Sequence, residues 1–205
     1  MWIKICGATS EEAVAAALQA GADAVGFIFA PSVRRVTGEH AARLSAAARG
    51  RAALVAVTLH PQQSLVDEIV RVLKPDALQT DLEDFERLCL PEQLARLPVV
   101  RPGAGFERKL PHRFLYEGAR SGSGEVSDWN AAARLARANE VVLAGGLNAD
   151  NVAAAIRAVA PYGVDVSSGV ETAPGRKSPE KIAQFVAAAR TAFREAATDG
   201  NRSID

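Results

Sequence analysis

Moving a proton on a small molecule requires one group that takes it and one that gives it. This chain ends several apolar runs in such groups. Cys6 closes the run Trp2–Cys6 and is followed by Gly7, which clears space beside it. A free thiol titrates at about 8.5, so modest activation yields a thiolate base at neutral pH. The competing reading is a small buried apolar side chain. Glu117 closes the run Arg113–Glu117. Burial would raise its pKa and suit it to act as a general acid; otherwise it pairs with Arg101 or Arg120. Gln79 and Asp81 end a further run, and Arg101 another. Each reads either as a ligand contact or as a hydrogen-bonded loop residue. Arg34 and Arg35 are adjacent in a loop, a pairing suited to a carboxylate or phosphate or to an exposed surface.

Two segments are suited to an anion. Leu143-Ala144-Gly145-Gly146-Leu147-Asn148 carries paired glycines, which let backbone N–H groups approach an oxyanion with no Cβ in the way. Asp165-Val166-Ser167-Ser168-Gly169-Val170 adds two hydroxyl donors and another glycine. Either segment alone also reads as a tight turn. Nucleotide fingerprints are lacking: Gly103-Ala104-Gly105 and Gly122-Ser123-Gly124 miss the third glycine of G-x-G-x-x-G, and no P-loop lysine motif occurs. His40, His60 and His112 show no ligand spacing with one another or with Cys89, so no metal is expected, and no cofactor is implied.

The elements that hold these residues alternate between short β-rich runs and Ala-rich helical stretches. Strands are expected at Trp2–Cys6, Ala24–Phe29, Ala52–Thr58, Ala77–Gln79, Val99–Arg101, Arg113–Glu117, Val141–Ala144 and Gly163–Ser167. Helices are expected at Ser10–Ala20, Thr37–Ala48, Gln62–Leu73, Glu83–Leu88, Trp129–Ala138, Asn151–Ala158 and Pro179–Ala196. The alternation argues for a parallel sheet, and eight strands argue for a closed single-domain (β/α)8 TIM barrel. An open doubly wound sheet is the alternative. The fifth unit is the weakest, because Pro102–Pro111 leaves room only for a short helix or a loop. The barrel domain is expected over residues 1–197, with a polar tail at 198–205. In this fold active sites lie at the strand C-termini, and phosphate sits on the loops after strands seven and eight. Both anion-suited segments fall there. Two-residue alternation turns Ile3 and Ile5 toward the helices and Lys4 and Cys6 inward. Strands one and eight are neighbours, so Lys4 and Asp165 are expected to pair inside the barrel.

The 205 residues are 48% hydrophobic and 23% charged, the balance of a globular chain with a sizeable core. Lys plus Arg equal Asp plus Glu at 24 each, which gives no broad basic face for nucleic acid. No apolar run is long enough to span a membrane. The opening residues lack the pattern of a signal peptide. Two cysteines are too few for a disulfide framework, and a reduced cytoplasm is the expected compartment. The expected partner is a small phosphorylated substrate, bound by a monomer or homodimer.

These motifs resemble one family, phosphoribosylanthranilate isomerase of tryptophan biosynthesis. Lys4-Ile5-Cys6-Gly7 resembles its opening motif, and Gly21–Phe29 is similar to its second strand. Ser32-Val33-Arg34-Arg35-Val36 resembles its arginine loop, and Gly122-Ser123-Gly124 with Asp128-Trp129 its sixth loop and helix. The segments Leu143–Asn148 and Val164–Glu171 are similar to its two phosphate loops, and Pro174-Gly175 and Lys177 continue the likeness. The resemblance implies an Amadori rearrangement of N-(5-phosphoribosyl)anthranilate to 1-(2-carboxyphenylamino)-1-deoxyribulose 5-phosphate. It implies Cys6 as the base, Arg34 on the anthranilate carboxylate, and Gly146, Ser168 and Gly169 as donors to phosphate, within loops that include Gly145 and Ser167. Two positions depart from the family pattern. Its acid is usually aspartate where this chain has Glu117, with a shorter loop following. Its fourth strand ends Gln-Leu-His-Gly where this chain has Gln79-Thr80-Asp81-Leu82, so Asp81 is a second candidate acid. An aldolase or epimerase on another sugar phosphate, or an inactive phosphate-ligand binding protein, are the alternatives.

Overall fold

The computed structural model describes residues 1–102, 110–118 and 126–202. Eight parallel strands close into a barrel in sequence order: β1 (Trp2–Cys6), β2 (Ala24–Ile28), β3 (Ala53–Val57), β4 (Ala77–Asp81), β5 (Ala95–Val100), β6 (Arg113–Tyr116), β7 (Glu140–Leu143) and β8 (Gly163–Val166). Closure is made by β1 against β8, with Lys4 opposite Asp165. The helices are α1 (Glu11–Ala20), α2 (Gly38–Leu44), α3 (Gln63–Val72), α4 (Trp129–Ala136), α5 (Val152–Val159) and α6 (Pro179–Arg202).

Local chemistry sets the boundaries. Ser10, Thr37 and Asp128 each accept from a backbone N–H in the first turn of α1, α2 and α4, which satisfies donors that the helix itself leaves open. Gly21 ends α1 in the left-handed region at φ 81°, where a side chain would be strained. Before β2 and before β4 an aspartate ties neighbouring strands together. Asp23 accepts from Ile3 N at 2.8 Å and Asp76 from Leu54 N at 2.7 Å.

Alternation along the strands sorts side chains into two cores. Ile3, Ile5, Val25, Phe27, Phe114 and Tyr116 pack between barrel and helices. Ala24, Val55, Leu97, Val99, Leu115, Val142 and Ala144 fill the lumen. The lumen core sits below the strand C-termini and acts as a floor under the polar residues of the mouth.

Several elements differ from the sequence expectation. β5 begins at Ala95 rather than Val99, and Pro98 lies inside it opposite Thr80. Proline removes a ladder donor, so the pattern broke there on reading, whereas the strand continues through it. The segment after β4 forms a 3-10 turn at Leu82–Glu86 instead of a helix at Glu83–Leu88. Helix α6 runs to Arg202, past Ala196 and into the expected tail, because no proline stops it. A small hairpin, β9 (Glu171–Ala173) with β10 (Arg176–Lys177), was not expected; it turns at Gly175, φ 81°. The centre of the expected short fifth helix or loop (103–109), the Gly122–Gly124 segment and the end of the tail (203–205) lie outside the described residues.

Candidate active site

β1 delivers Cys6 to the mouth at 5% exposure, directly above Lys4. Lys4 is fully buried, and its Nζ donates to Asp165 Oδ1 and to Gln79 Oε1, each at 2.8 Å. The expected Lys4–Asp165 pair is therefore present, and Gln79 joins it from β4. Gln79 lies in this lower layer with its carbonyl oxygen engaged, rather than reaching up into the mouth. Opposite Cys6 in the β1–β2 register stands Gly26. A Cβ there would fall 2.9 Å from Lys4 Cε and 3.0 Å from Cys6 Sγ, so the glycine leaves room for both. Burial pushes the Cys6 thiol up from its usual value; Lys4 pulls it down, Asp165 adds to the rise, and Lys177 pulls down again.

On the other side of the mouth, Asp81 ends β4, and Arg101 and Glu117 directly follow β5 and β6. The Arg101 guanidinium donates through Nη2 to Asp81 Oδ1 at 2.8 Å and through Nη1 to Glu117 Oε2 at 3.3 Å. Both candidate carboxyls are thus brought together on one arginine. Sequence reading allowed for an Arg101–Glu117 pair but did not join Asp81 to it. Beside them, His60, Asp81 and Glu83 place one ligand atom each within 4.8 Å of one another, a grouping hidden from sequence spacing. His60 Nδ1 lies 3.1 Å from Asp84, and that hydrogen bond raises the imidazole pKa.

The two anion loops meet at the mouth between β7 and β8. Gly145 and Gly146 adopt φ 93° and 65°, which only glycine takes without strain. Asn151 Nδ2 donates to Gly146 O at 2.9 Å, and Asn148 N donates to Asn151 Oδ1 at 2.9 Å. These bonds hold the Gly146 carbonyl, while the Gly145 and Gly146 N–H groups donate to no described residue. Ser168 and Gly169 open a 3-10 turn whose first N–H groups have no partner within the turn. A Cβ on Gly169 would fall 1.9 Å from Leu147 O, so the loops touch only because residue 169 is glycine. The N–H groups of Gly145, Gly146, Ser168 and Gly169 thus lie on two loops in direct contact. Such a cluster suits phosphate.

Arg34 reaches across Gly7, whose Cβ would fall 2.8 Å from Arg34 Cδ. It holds Glu171 by two hydrogen bonds of 2.7 Å, from Nε and Nη2. Lys177 Nζ donates to the same carboxylate at 2.7 Å and to Ser167 O at 3.0 Å. Burial would raise the Glu171 pKa, but Arg34 and Lys177 outweigh it and hold the carboxyl at about 2. Arg34 therefore has one edge of its fork taken by Glu171. Glu171 and Lys177 were missed as site residues. The signal was present: two opposite charges flanking Pro174-Gly175 face each other once a hairpin forms there.

Comparison with known proteins falls on one family. The family described as N-(5'phosphoribosyl)anthranilate (PRA) isomerase matches residues 3–188. An N-(5'-phosphoribosyl)anthranilate isomerase from Brucella canis is 43% identical over 202 residues, covering 89% of this chain and 91% of the relative. The crystal structure of phosphoribosyl anthranilate isomerase from Thermotoga maritima superposes with TM-score 0.82 at 29% identity, covering 93% of this chain and 99% of that one. A structure of the same enzyme type in complex with reduced 1-(o-carboxyphenylamino)-1-deoxyribulose 5-phosphate gives TM-score 0.77 at 27% identity, with coverage of 93% and 99%.

Proposed function

The chain belongs to the N-(5'-phosphoribosyl)anthranilate isomerase family, and from that premise we propose that Cys6 is the base and Glu117 the acid of its reaction. The enzyme is an aldose–ketose isomerase of tryptophan biosynthesis. It converts N-(5-phosphoribosyl)anthranilate to 1-(2-carboxyphenylamino)-1-deoxyribulose 5-phosphate by an Amadori rearrangement.

Phosphate docks on the N–H groups of Gly145, Gly146, Ser168 and Gly169, with Ser167 beside them, and so fixes one end of the ribose. Glu117 gives a proton to the ring oxygen, the C1–O bond breaks, and the anthranilate nitrogen becomes an iminium. The Cys6 thiolate takes the C2 proton, and the C–H electrons move into the C1–C2 bond to neutralise the iminium as an enolamine. Tautomerisation of the enolamine yields the ketone, so no atom is gained or lost. Arg34 takes the anthranilate carboxylate on the N–H donors that Glu171 leaves open. Asp81 holds Arg101 against Glu117 and stands second in line as the acid.

The observation that carries this reading is the placement of Cys6: a buried thiol at the end of β1, above the buried Lys4, on the mouth that also holds the glycine loops. The Schiff-base alternative is disfavoured, since Lys4 is fully buried and bonded to Asp165. Every named group comes from one chain, so monomer and homodimer serve the chemistry equally. No helix among the described residues is long and apolar enough to cross a membrane, and two free cysteines suit the reducing cytoplasm. The test is turnover of phosphoribosylanthranilate, followed by loss of its fluorescence. Cys6→Ala should cut kcat by about 10²–10⁴, the usual worth of a positioned base. Undiminished turnover would refute the assignment.

A further inference from the structure

The geometry points to Lys4 as a positioning residue for the reaction: we propose that its ammonium, anchored from below by Asp165 and Gln79, is the fixed counter-charge of the Cys6 thiolate. The inference rests on the reading of Cys6 as the base and extends it to the layer beneath.

A lysine in the middle of a barrel is costly. A buried ion pair is commonly no more stabilising than apolar residues of similar size. Packing alone therefore gives little reason for Lys4 and Asp165 to be there. Their location supplies one. Lys4 and Cys6 share one face of β1, two residues apart, and both side chains lean toward the same gap. Gly26 opens that gap: the position of its missing Cβ is 2.9 Å from Lys4 Cε and 3.0 Å from Cys6 Sγ. No side chain on Gly26 separates the lysine stem from the sulfur.

The hydrogen-bond count agrees. An ammonium has three N–H donors. Two are fixed downward and sideways, by Asp165 and by the Gln79 amide oxygen, each at 2.8 Å. The third is left for an acceptor above. Gln79 is neutral, so it orients Lys4 without cancelling its charge.

The charged groups acting on Cys6 are Lys4 on its own strand, Asp165 from β8, Lys177 from β10 and Arg34 from the loop after β2. Arg34 and Lys177 share the single carboxylate of Glu171. Among the cations, Lys4 acts most strongly on the thiol. The thiolate that takes the C2 proton is then met, before the transfer, by a cation that is already in place.

The experiment reads the thiol itself. The chain has two cysteines; replacing the exposed Cys89, which lies outside the site, gives a Cys89→Ser background with Cys6 as its only thiol. The rate of Cys6 alkylation by iodoacetamide is followed against pH, and kcat/KM is measured over the same range. Lys4→Met should raise the alkylation midpoint by at least about one pH unit, because an adjacent opposite charge favours the charged form by that much or more. The acid limb of kcat/KM should move with it, and turnover should recover as pH rises. Should Lys4→Met leave Asp165 unpaired and the protein unfolded, Lys4→Gln with Asp165→Asn removes both charges and should still raise the midpoint. An unmoved alkylation midpoint in either folded variant overturns the proposal. A midpoint that moves while the kcat/KM limb does not leaves Lys4 as the counter-charge and removes Cys6 as the base.

Discussion

Arg101 and Asp81 form the tighter of two ion pairs on one guanidinium, 2.8 Å against 3.3 Å for Arg101 and Glu117. Asp81 gives Arg101 a second anchor beside Glu117. A general acid beside an arginine must be able to hold a proton in the complex. Asp81 shares that arginine with Glu117 and so fixes its position beside the carboxyl. Glu117→Gln should lower kcat by about 10²–10⁴, and Asp81→Asn by about tenfold, through loss of positioning. Steady-state kinetics of the two variants decide the assignment. Loss with Asp81→Asn and retention with Glu117→Gln would exchange the roles.

Burial dominates the Cys6 thiol and raises its pKa despite the two lysines. The active form for proton abstraction is the thiolate, which gains population as pH rises. The acid limb of kcat/KM should therefore have its midpoint above that of an ordinary free thiol. A pH–rate profile of the free enzyme with saturating buffer controls checks this. An acid limb centred below neutrality would assign the base to another group.

Glu171 makes the site's acid sensitivity calculable in sign. Its folded pKa is about 2 against an ordinary 4.5. A carboxyl with a depressed folded pKa contributes stability that is fully present above the ordinary value and lost as pH falls toward the folded one. Thermal unfolding should therefore show Tm falling between about pH 4.5 and 2. Glu171→Gln should flatten that slope. It should also destabilise the protein at pH 7 by about 3–5 kcal/mol, because Arg34 and Lys177 lose their shared partner.

Gly169 lies against the Leu147 carbonyl, with no space for a side chain. Gly169→Ala must push the β7 and β8 loops apart. Inorganic phosphate should then inhibit at least about tenfold less well, a loss of about 1.4 kcal/mol. Gly21→Ala, which meets nothing within 4 Å but also has positive φ, serves as a control for general destabilisation. It should leave phosphate inhibition unchanged.

Much of this is legible in the sequence. Alternation along β1 and β8 placed Lys4 opposite Asp165, because strand parity and barrel closure leave little choice. The two glycine loops were readable because positive φ and close approach demand glycine. What stayed hidden was long-range pairing between side chains. Nothing near Arg34 in sequence points to Glu171, 137 residues away. Asp81 and Arg101 meet only because β4 and β5 are adjacent and in the register that sets Asp81 beside Val99. Pro98 concealed the first half of β5, since its missing donor is tolerated in a strand that reading treats as closed to it.

The most direct measurement is a crystal structure of this protein with a reduced product analogue bound. The account predicts the phosphate on the amides of Gly146 and Gly169, Cys6 Sγ facing C2 of the sugar, and the Glu117 carboxyl within hydrogen-bond reach of the oxygen that leaves the ring. A phosphate bound elsewhere, or a sulfur turned toward the helices while another base faces C2, would contradict it.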